Sequence, residues 1–549
     1  MSSTAHIDTF ARDNLPPQDQ LPEFIFELPE LDFPSRLNCG AEILDKTAAA
    51  GYADRPAIHT LIDGKRYSCT YRQLLVRANQ IAHVLTRDLR LVPGNRVLLR
   101  GPNNPMMVAS WLGIMKAGCI AVATMPLLRA RELVPIITKA RIGAALCDAR
   151  LMEELDLARA QVSSLKDVLH FNAGGTGSLE ALLEDKPANF ENVDTAADDI
   201  ALIAFTSGTT GTPKGCLHFH RDLLAASLCF PRSCMSVTDR DIFCGTPPLA
   251  FTFGLGGLLC FPLRAGASAV LIERLTPESL LQTIQDFKAT TCFSAPMYYR
   301  QMAQHAHRYD LSSLKQCVAA GEALPDATRQ LFKQATGIEI IDGIGSTELF
   351  HMFISHRPER VRRGATGYAI PGYRATVLGD AGEPCPPGVV GRLAIKGPTG
   401  CKYLADDRQQ NYVTRGWNLT GDAYMSDADG YFYYQARTDD MIIAAGYNIA
   451  GPEVESALLV HDAVAECGVV GAPDEARGTI VKAYVVLKSG YARDESMVKA
   501  LQEHVKATIA PYKYPRSIEF RDALPRTETG KLQRFKLRQE AAAAAGFRP

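Results

Sequence analysis

Residues 200–215 read IALIAFTSGTTGTPKG, an apolar run that leads directly into a loop dense in glycine and threonine. The run at residues 200–205 has the length and apolar character of a buried strand. In the loop, three glycines let the backbone approach an anion, while five Ser/Thr hydroxyls and Lys214 supply donors suited to phosphate. Pro213 precedes Lys214, so the spacing is not that of a P-loop NTPase. A flexible surface loop is the alternative, but the preceding strand favours a phosphate-binding turn.

The sequence around this segment alternates short apolar runs with amphipathic stretches. Such alternation is typical of parallel sheets covered by helices, and it predicts an α/β fold for a large, multi-lobed N-terminal region. We predict strands at residues 96–99, 119–123, 142–147, 289–294 and 316–320, and helices at residues 106–116 and 130–139. Residues 1–45, rich in proline, acidic residues and phenylalanine, predict an irregular arm laid over a domain.

The pattern changes from about residue 437 onwards. We predict helices at residues 451–460 and 496–509, strands at residues 467–470 and 481–487, and a helical or frayed tail at residues 541–545. A Pro-rich segment at residues 510–515 and a final loop separate the second helix from this tail. The pattern indicates a small α+β domain at the C-terminal end.

The composition is that of an average globular protein, with 549 residues of which 46% are hydrophobic and 22% charged. The 59 basic and 60 acidic residues leave a net charge of −1, which argues against a protein that coats nucleic acid or membrane surfaces. No apolar run reaches the roughly 18 residues of a membrane span, and residues 1–8 lack a secretory pattern. The 14 cysteines include no CxxC pair and are expected to be reduced, buried thiols. We therefore expect a cytoplasmic protein.

Four further motifs follow the glycine–threonine loop in chain order. They read IGSTE at residues 344–348, WNLTGD at 417–422, RTDD at 437–440 and PRTETGK at 525–531. Together with the loop, they resemble the adenylate-forming superfamily, which includes acyl-CoA synthetases, adenylation domains and luciferases. All five motifs stand in the order typical of that superfamily, and the resemblance extends over the chain beyond its N-terminal arm.

The resemblance implies a role for one residue in each motif. Thr347 would contact the α-phosphate of ATP, and Glu348 would hold Mg²⁺, a hard cation that prefers oxygen ligands. Asp422 would accept hydrogen bonds from the ribose hydroxyls, to which Arg437 would donate. Lys531 would be the catalytic lysine that touches the substrate carboxylate and the α-phosphate. Catalysis would thus rest on Thr347, Glu348 and Lys531.

The resemblance also implies two half-reactions, which form acyl-AMP and pyrophosphate and then a CoA thioester and AMP. Asp439 would be the hinge between an ATP- and acid-binding domain at residues 1–438 and a mobile domain at residues 439–549. Rotation of the small domain would withdraw Lys531 and present residues 444–448, where Gly446 leaves room for pantetheine. The residues implied to contact ATP or CoA are Thr206, Ser207, Gly208, Thr209, Thr210, Gly211, Lys214, Gly321, Glu322, Asp342, Gly343, Gly345, Ser346, Thr347, Asp422, Arg437, Gly446 and Tyr447.

Three positions depart from the pattern of the superfamily. Ile344 stands where an aromatic residue usually stacks on adenine, so this contact must be aliphatic. Ile443 replaces a common lysine, and Ala436 replaces the usual glycine before Arg437. None of these changes touches the phosphate chemistry.

The resemblance also implies where the acid binds: the pocket would be lined by Phe251, Thr252, Phe253, Ala320, Gly321 and His351. Aromatic side chains around small residues favour a short, flat slot for an aromatic ring rather than a tunnel for a long acyl chain. Residues 319–325, 345–351 and 446–455 look most like benzoate- and 2-aminobenzoate-CoA ligases, and residues 33–39 look closer to the latter. Thr252 or His351 would then face an ortho amine, although a packing role for His351 remains the alternative.

Other readings of the motifs remain open at this point. A stand-alone adenylation domain that loads an aryl acid onto a carrier protein would share them, as would a non-catalytic nucleotide-binding protein or a luciferase-type oxygenase. A serine hydrolase is disfavoured because no GxSxG occurs. The expected partners are a small aromatic carboxylic acid, ATP and CoA, without nucleic acid or membrane, and a homodimer is one alternative for the assembly.

Overall fold

The computed structural model describes residues 3–62, 64–175, 177–206, 213–438, 440–444, 447–474, 478–527 and 531–544. Its strands are β1 (Pro56–Ile62), β2 (Lys65–Thr70), β3 (Arg96–Arg100), β4 (Ile120–Thr124), β5 (Ala144–Asp148), β6 (Asp167–Phe171), β7 (Ile200–Thr206), β8 (Lys214–Phe219), β9 (Ile242–Gly245), β10 (Ser268–Val270), β11 (Thr291–Ser294), β12 (Gln316–Ala319), β13 (Ile340–Gly345), β14 (Met352–Ser355), β15 (Tyr368–Ala369), β16 (Arg374–Leu378), β17 (Gly391–Lys396), β18 (Val413–Thr414), β19 (Trp417–Ser426), β20 (Phe432–Arg437), β21 (Ile442–Ala444), β22 (Tyr447–Ile449), β23 (Val464–Asp474), β24 (Gly478–Leu487) and β25 (Ser517–Phe520).

The α-helices pack mainly on the faces of the sheets. They are α1 (Phe10–Asp13), α2 (Tyr71–His83), α3 (Pro105–Lys116), α4 (Ala130–Lys139), α5 (Met152–Arg159), α6 (Leu179–Leu183), α7 (His220–Cys234), α8 (Thr252–Leu255), α9 (Phe261–Arg264), α10 (Pro277–Phe287), α11 (Pro296–His305), α12 (Asp326–Thr336), α13 (Gln409–Tyr412), α14 (Gly451–Leu459), α15 (Glu495–Thr508) and α16 (Arg534–Ala544). No helix in the described parts of the chain combines the length and apolar character needed to cross a membrane.

Two mainly parallel sheets form the body of the large N-terminal domain. One has the order β15-β14-β13-β12-β11-β9-β10-β1-β2 and the other the order β6-β5-β3-β4-β7-β8. Strand β4 is buried along its whole length, which explains why it appears in the sequence as a continuous apolar run. The α/β fold predicted from the sequence is confirmed.

Helix α3 illustrates how local sequence sets these elements. The side chain of Asn104 accepts a hydrogen bond from the backbone N–H of Met107, and Pro105 occupies the first turn, where no N–H is needed. The helix is buried from Met107 to Lys116. The capped start and apolar length together make α3 a core helix between the two sheets.

An antiparallel sheet completes the N-terminal domain, with the order β16-β17-β19-β18 and β20 paired with β19. The sequence analysis predicted no strands here. β18 has only two residues, and register shifts interrupt the pairing of β19 with β17 and with β20, so the period-two signal is weak. This sheet matters for the site because it carries Asp422 and Arg437.

The N-terminal arm lies on the large domain, as predicted. Asp8 pairs with Arg96, and Arg12 pairs with the buried carboxylate of Asp199. Further along, Phe24 forms a bridge with Gly397 of the antiparallel sheet region.

The smaller C-terminal domain contains the hairpin β21–β22, the sheet β23-β24-β25 and helices α14, α15 and α16. Strand β23 is longer than the predicted segment at residues 467–470. Strand β25 and most of helix α16 fall where the sequence analysis predicted a loop. Helix α16 buries only Leu537 and Ala541, so its amphipathic signal is weak.

The 14 cysteines are free thiols, and all except Cys385 are buried. Their burial agrees with the expectation of mostly buried thiols.

Candidate active site

The predicted site residues gather at the carboxyl ends of two neighbouring parallel strands, where open α/β sheets place their ligands. Gly321 follows β12, and Thr347 and Glu348 follow β13. Gly321 has a φ of +96°, a conformation that glycine adopts without strain. Ala320, next to it, is 8% exposed.

The phosphate-loop motif connects β7 to β8. Thr206 ends β7 and pairs with Lys214 at the start of the antiparallel β8, so the two ends of the loop lie side by side. Ser207, Gly208, Thr209, Thr210 and Gly211 lie outside the described residues. The buried hydroxyl of Thr206 has no hydrogen-bond partner among the residues that the structure describes.

Lys214 and Glu348 meet through a tyrosine that the sequence analysis did not identify. The Lys214 Nζ donates to the Tyr403 hydroxyl at 2.7 Å, and this hydroxyl donates to Glu348 Oε1 at 2.6 Å. Lys214 Nζ and Glu348 Oε1 are 3.6 Å apart. Lys214 also lies 4.7 Å from the centre of the Tyr403 ring, within range of a cation–π contact. The phosphate-loop lysine and the predicted metal ligand are therefore linked by one phenol.

The turn that carries Ser346, Thr347 and Glu348 is held from several sides. The backbone N–H of Phe350, a residue with a φ of +72°, donates to the Thr347 carbonyl at 3.2 Å. The Ser346 hydroxyl lies 3.3 Å from the Tyr412 hydroxyl. A buried non-glycine residue in the left-handed region persists only where its surroundings over-determine it. The turn is therefore rigid where Thr347 and Glu348 project.

A buried ion pair lies next to this turn. Lys402 Nζ donates to Asp222 Oδ2 at 2.9 Å, and both side chains are completely buried. The His218 ring is 3.8 Å from the same carboxylate and packs edge-on against the ring of Phe350. Burial would raise the pKa of Asp222, but Lys402 and His218 outweigh it and hold the pKa at about 2. Asp222 is therefore a carboxylate at neutral pH.

The predicted ribose-binding residues are adjacent. Arg437, which ends β20, donates from Nη1 to Asp422 Oδ1 and to the Thr420 carbonyl, each at 3.1 Å. Burial raises the pKa of Asp422, and Arg437 opposes this shift. Gly421 has a φ of +75°, and a Cβ there would lie 2.7 Å from Arg437 Nη2. The glycine thus lets the guanidinium pack against the strand.

Asp342, Gly343 and Gly345 belong to β13 itself. Burial raises the pKa of Asp342 to about 7. A Cβ on Gly343 would lie 2.7 Å from Met352 Sδ, and one on Gly345 would lie 2.6 Å from the His351 carbonyl oxygen. Both glycines are therefore required for close packing of β13 against the segment 351–354.

The C-terminal domain places its lysine loop against the large domain. A Cβ on Gly321 would lie 3.6 Å from Lys531 Cε, so the lysine side chain lies over this glycine. Arg526, in the same motif, pairs with Glu466 of its own domain and lies 3.6 Å from Glu322 Oε2. Desolvation by the surrounding protein lowers the pKa of Lys531, and the nearby Glu322 carboxylate opposes this shift. Part of the residue nevertheless remains exposed to solvent.

Among the predicted acid-pocket residues, His351 and Phe253 belong to an aromatic cluster, and Phe251 and Thr252 lie at the start of the short helix α8. The His351 ring lies 5.7 Å from Phe253, 5.2 Å from Phe230 and 4.7 Å from Phe261, measured between ring centroids. Thr252 is buried at the start of α8, which Phe251 precedes. A Cβ on Gly256 would lie only 2.6 Å from His351 Cδ2.

His351 is a buried, neutral imidazole. Burial lowers the pKa of His351 to about 3. Neither ring nitrogen makes a hydrogen bond of good geometry to a described residue, although a weak contact with the Phe253 backbone opposes the fall in pKa. A buried polar group of this kind costs free energy unless a ligand or water satisfies it.

Three further predicted positions are not fully described, in addition to residues 207–211 of the phosphate loop. Asp439 and Gly446 lie outside the described residues, and of Tyr447 only the backbone, in strand β22, is described. Their assigned roles, like the domain boundary at Asp439, stay predictions.

The chain has close relatives among known proteins. It matches the AMP-binding enzyme family over residues 45–403 and the AMP-binding enzyme C-terminal domain over residues 453–531. It is 34% identical to the benzoate–CoA ligase of Thauera aromatica over 516 residues, which cover 93% of this chain and 97% of that protein.

Solved structures extend this similarity to the fold. The anthranilate CoA ligase AuaEII, in complex with anthranoyl-AMP, superposes with a TM-score of 0.89 at 35% identity and covers 95% of this chain and 100% of that one. A benzoate CoA ligase from Burkholderia xenovorans LB400 gives a TM-score of 0.82 at 31% identity, covering 91% and 100% of the two chains. The predicted resemblance to the adenylate-forming superfamily, and within it to benzoate- and 2-aminobenzoate-CoA ligases, is confirmed. The chain therefore belongs to the AMP-binding enzyme family, and it is an AMP-forming acid–CoA ligase.

Proposed function

We propose that this enzyme activates a small aromatic carboxylic acid, with 2-aminobenzoate or benzoate as its substrate. ATP and CoA are the co-substrates of AMP-forming acid–CoA ligases. The observation that carries the proposal is the position of Lys531 over Gly321, because this glycine belongs both to the predicted acid pocket and to the predicted nucleotide site.

The chemical difficulty of the first half-reaction is the approach of a carboxylate to the α-phosphate of a polyanion. Positioned cations and amides reduce this barrier because they are already oriented when charge develops. Lys214 and the glycine–threonine loop would hold the β- and γ-phosphates, while Thr347 would contact the α-phosphate. Lys531 would donate to the substrate carboxylate and to the α-phosphate as the new bond forms. Asp422 and Arg437 would fix the ribose.

The donor set at Glu348 fits Mg²⁺. The described residues contain no cluster of three or more His, Cys, Asp or Glu side chains that would enclose a metal ion. A single carboxylate suits Mg²⁺, which usually keeps several waters and takes further oxygens from substrate phosphates. When bound, the ion would neutralise phosphate charge. Glu348 would hold it, with Tyr403 and Lys214 fixing the carboxylate.

The second half-reaction needs a thiol to reach the acyl carbonyl. We propose that the domain at residues 439–549 rotates about Asp439, removes Lys531 and brings residues 444–448 to the site. Glu322 and Arg526, which pair across the two domains, would separate during this rotation.

The aromatic side chains of the pocket and the identity of two relatives both support an aromatic acid as the substrate. The ring cluster around His351 and Phe253 offers flat apolar surface, and two relatives at 31–35% identity are a benzoate CoA ligase and an anthranilate CoA ligase. The neutral His351 ring, whose nitrogens make no hydrogen bond of good geometry to a described residue, would suit an ortho amine, which a benzoate ring lacks.

A panel of acids tests this proposal. With ATP, Mg²⁺ and CoA, we expect AMP release to be fastest with 2-aminobenzoate or benzoate and slow with octanoate. If octanoate were the best substrate, the aromatic pocket would be refuted.

Gly256→Ala tests whether the surroundings of His351 set acid affinity. The added Cβ would lie 2.6 Å from His351 Cδ2 and 3.0 Å from its Nε2, so the ring must move. We expect the added methyl group to destabilise the fold by about 1–3 kcal/mol, the usual cost of overpacking, and to weaken binding of the aromatic acid with little change in the KM for ATP. Gly143→Ala is the matched control, since the nearest atom to its Cβ is 3.9 Å away. Equal acid affinity in both variants would contradict a role for His351 in the pocket.

A further inference from the structure

Tyr403 is buried, and hydrogen bonds hold its backbone and that of both neighbouring residues in place. It is 1% exposed, and its backbone N–H donates to Gln409 Oε1 at 2.9 Å. On either side, the Lys402 carbonyl accepts from the Leu217 N–H at 2.7 Å, and the Leu404 N–H donates to the Gly215 carbonyl at 2.8 Å. These bonds tie the segment to β8, the strand that begins with Lys214. The phenol therefore has a set position relative to the phosphate loop.

The direction of the hydrogen bonds at the phenol follows from its chemistry. A hydroxyl has one proton to donate, whereas an ammonium group can only donate. Lys214 must therefore donate to the Tyr403 oxygen, and the phenol proton must point to Glu348. A bond from a neutral donor to a carboxylate is charge-assisted, and the 2.6 Å distance agrees with such a bond.

The phenol binds both charged groups of an ion pair. Lys214 Nζ and Glu348 Oε1 are 3.6 Å apart, longer than a direct hydrogen bond, and the Tyr403 oxygen lies 2.7 Å from the first and 2.6 Å from the second. Without this oxygen, each group would lose a hydrogen bond, and the two would be free to shorten their pair in a largely buried site. A shorter pair would compete with the phosphates for Lys214 and with a cation for Glu348.

We propose that Tyr403 is a positioning residue that orients Lys214 and Glu348 for Mg²⁺-ATP. This inference rests on the proposed function, in which Lys214 binds phosphate and Glu348 binds Mg²⁺. The hydroxyl acts through these two side chains, and nothing in the proposal requires it to touch the reacting atoms. Removing it is expected to affect nucleotide binding and to leave the acid site intact.

Calorimetric titration with ATP, in the absence of acid and CoA, tests the proposal without turnover. We expect Tyr403→Phe to weaken Mg²⁺-ATP binding by about 10- to 100-fold, the effect of losing a hydrogen bond to a charged group. The KM for the acid and the rate of thioester formation from supplied acyl-AMP should be unchanged. Tyr71→Phe is the matched control, because this buried phenol donates to the Ala267 carbonyl at 2.6 Å in another part of the domain.

A double-mutant cycle distinguishes positioning from a general loss of stability. If Tyr403 acts through Glu348, the Tyr403→Phe effect in a Glu348→Gln background should fall to about threefold or less. An equal effect in both backgrounds, an unchanged Mg²⁺-ATP affinity, or the same loss in Tyr71→Phe would overturn the proposal. Failure of the wild-type enzyme to release AMP with any acid would instead refute the proposed function. Because ATP binding is measured without acid, this outcome can be distinguished from a failure of the proposal for Tyr403.

Discussion

Lys531→Ala is expected to abolish acyl-AMP formation, measured as ATP–pyrophosphate exchange, while the variant still converts supplied acyl-AMP and CoA to thioester. The lysine side chain, which belongs to the C-terminal domain, lies over Gly321 of the large domain, where a positive charge would meet both the carboxylate and the α-phosphate. Loss of one preorganised donor of this kind typically lowers the rate by about 10²–10³-fold.

The second half-reaction should survive because Lys531 and the segment 444–448 lie in separate parts of the C-terminal domain. Removing the lysine also leaves the pair between Arg526 and Glu322 in place, so the domains keep the same contact in the first half-reaction. Lys536→Ala is the matched control, since this lysine lies exposed in helix α16 of the same domain. Equal loss of both half-reactions would rule out an enzyme that uses two domain orientations.

Elements with a strong local pattern could be predicted from the sequence. The segment at residues 200–215 joins a buried strand to its loop within a few residues, and helix α4 lies at residues 130–139 as predicted. The antiparallel strands β16 to β20 could not be predicted, because the short β18 and the register shifts of β19 weaken their alternation. Helix α16 buries too few residues to show an amphipathic period.

The candidate site likewise contains residues that could be predicted from the sequence and one that could not. Glu348, Asp422 and Lys531 stand in short motifs, so the resemblance to the superfamily identified them. Tyr403 lies 189 residues from Lys214 and 55 residues from Glu348, and such a contact leaves no periodic or local signal in a single sequence. The pairing of its segment with β8 brings Tyr403 to Lys214, and the turn after β13 brings Glu348 to the same hydroxyl.

Lys402→Met is expected to destabilise the N-terminal domain by about 3–5 kcal/mol, because it leaves the Asp222 carboxylate buried and unpaired. The loss is measured as the change in the free energy of unfolding by denaturant. Lys288→Met is the matched control: its pair with Asp310 has a similar distance of 2.7 Å, but the two side chains are 59% and 50% exposed. An exposed pair of this kind contributes about 0–1 kcal/mol.

The pH dependence of Lys402→Met tests the electrostatic origin of this loss. The pKa of Asp222 is about 2 in the folded state and about 3.9 in an unfolded chain. The stabilisation by the wild-type pair is therefore complete above about pH 3.9 and is lost as the pH falls through the folded-state pKa. In Lys402→Met, uncompensated burial should raise the pKa of Asp222. The deficit relative to the wild type should therefore be large at neutral pH and shrink on acidification.

A second substitution separates the charge from the packing. Lys402→Met combined with Asp222→Leu removes both charges, and replacement of a buried ion pair by apolar groups is often close to neutral. We therefore expect the double variant to recover most of the lost stability and to lose the pH dependence. Asp222 also accepts the backbone N–H of Phe219 at 3.0 Å, so a residual loss of about 1 kcal/mol should remain. A deficit that persists in full in the double variant would place its origin in the packing of Lys402 against Phe24 and Phe219 rather than in its charge.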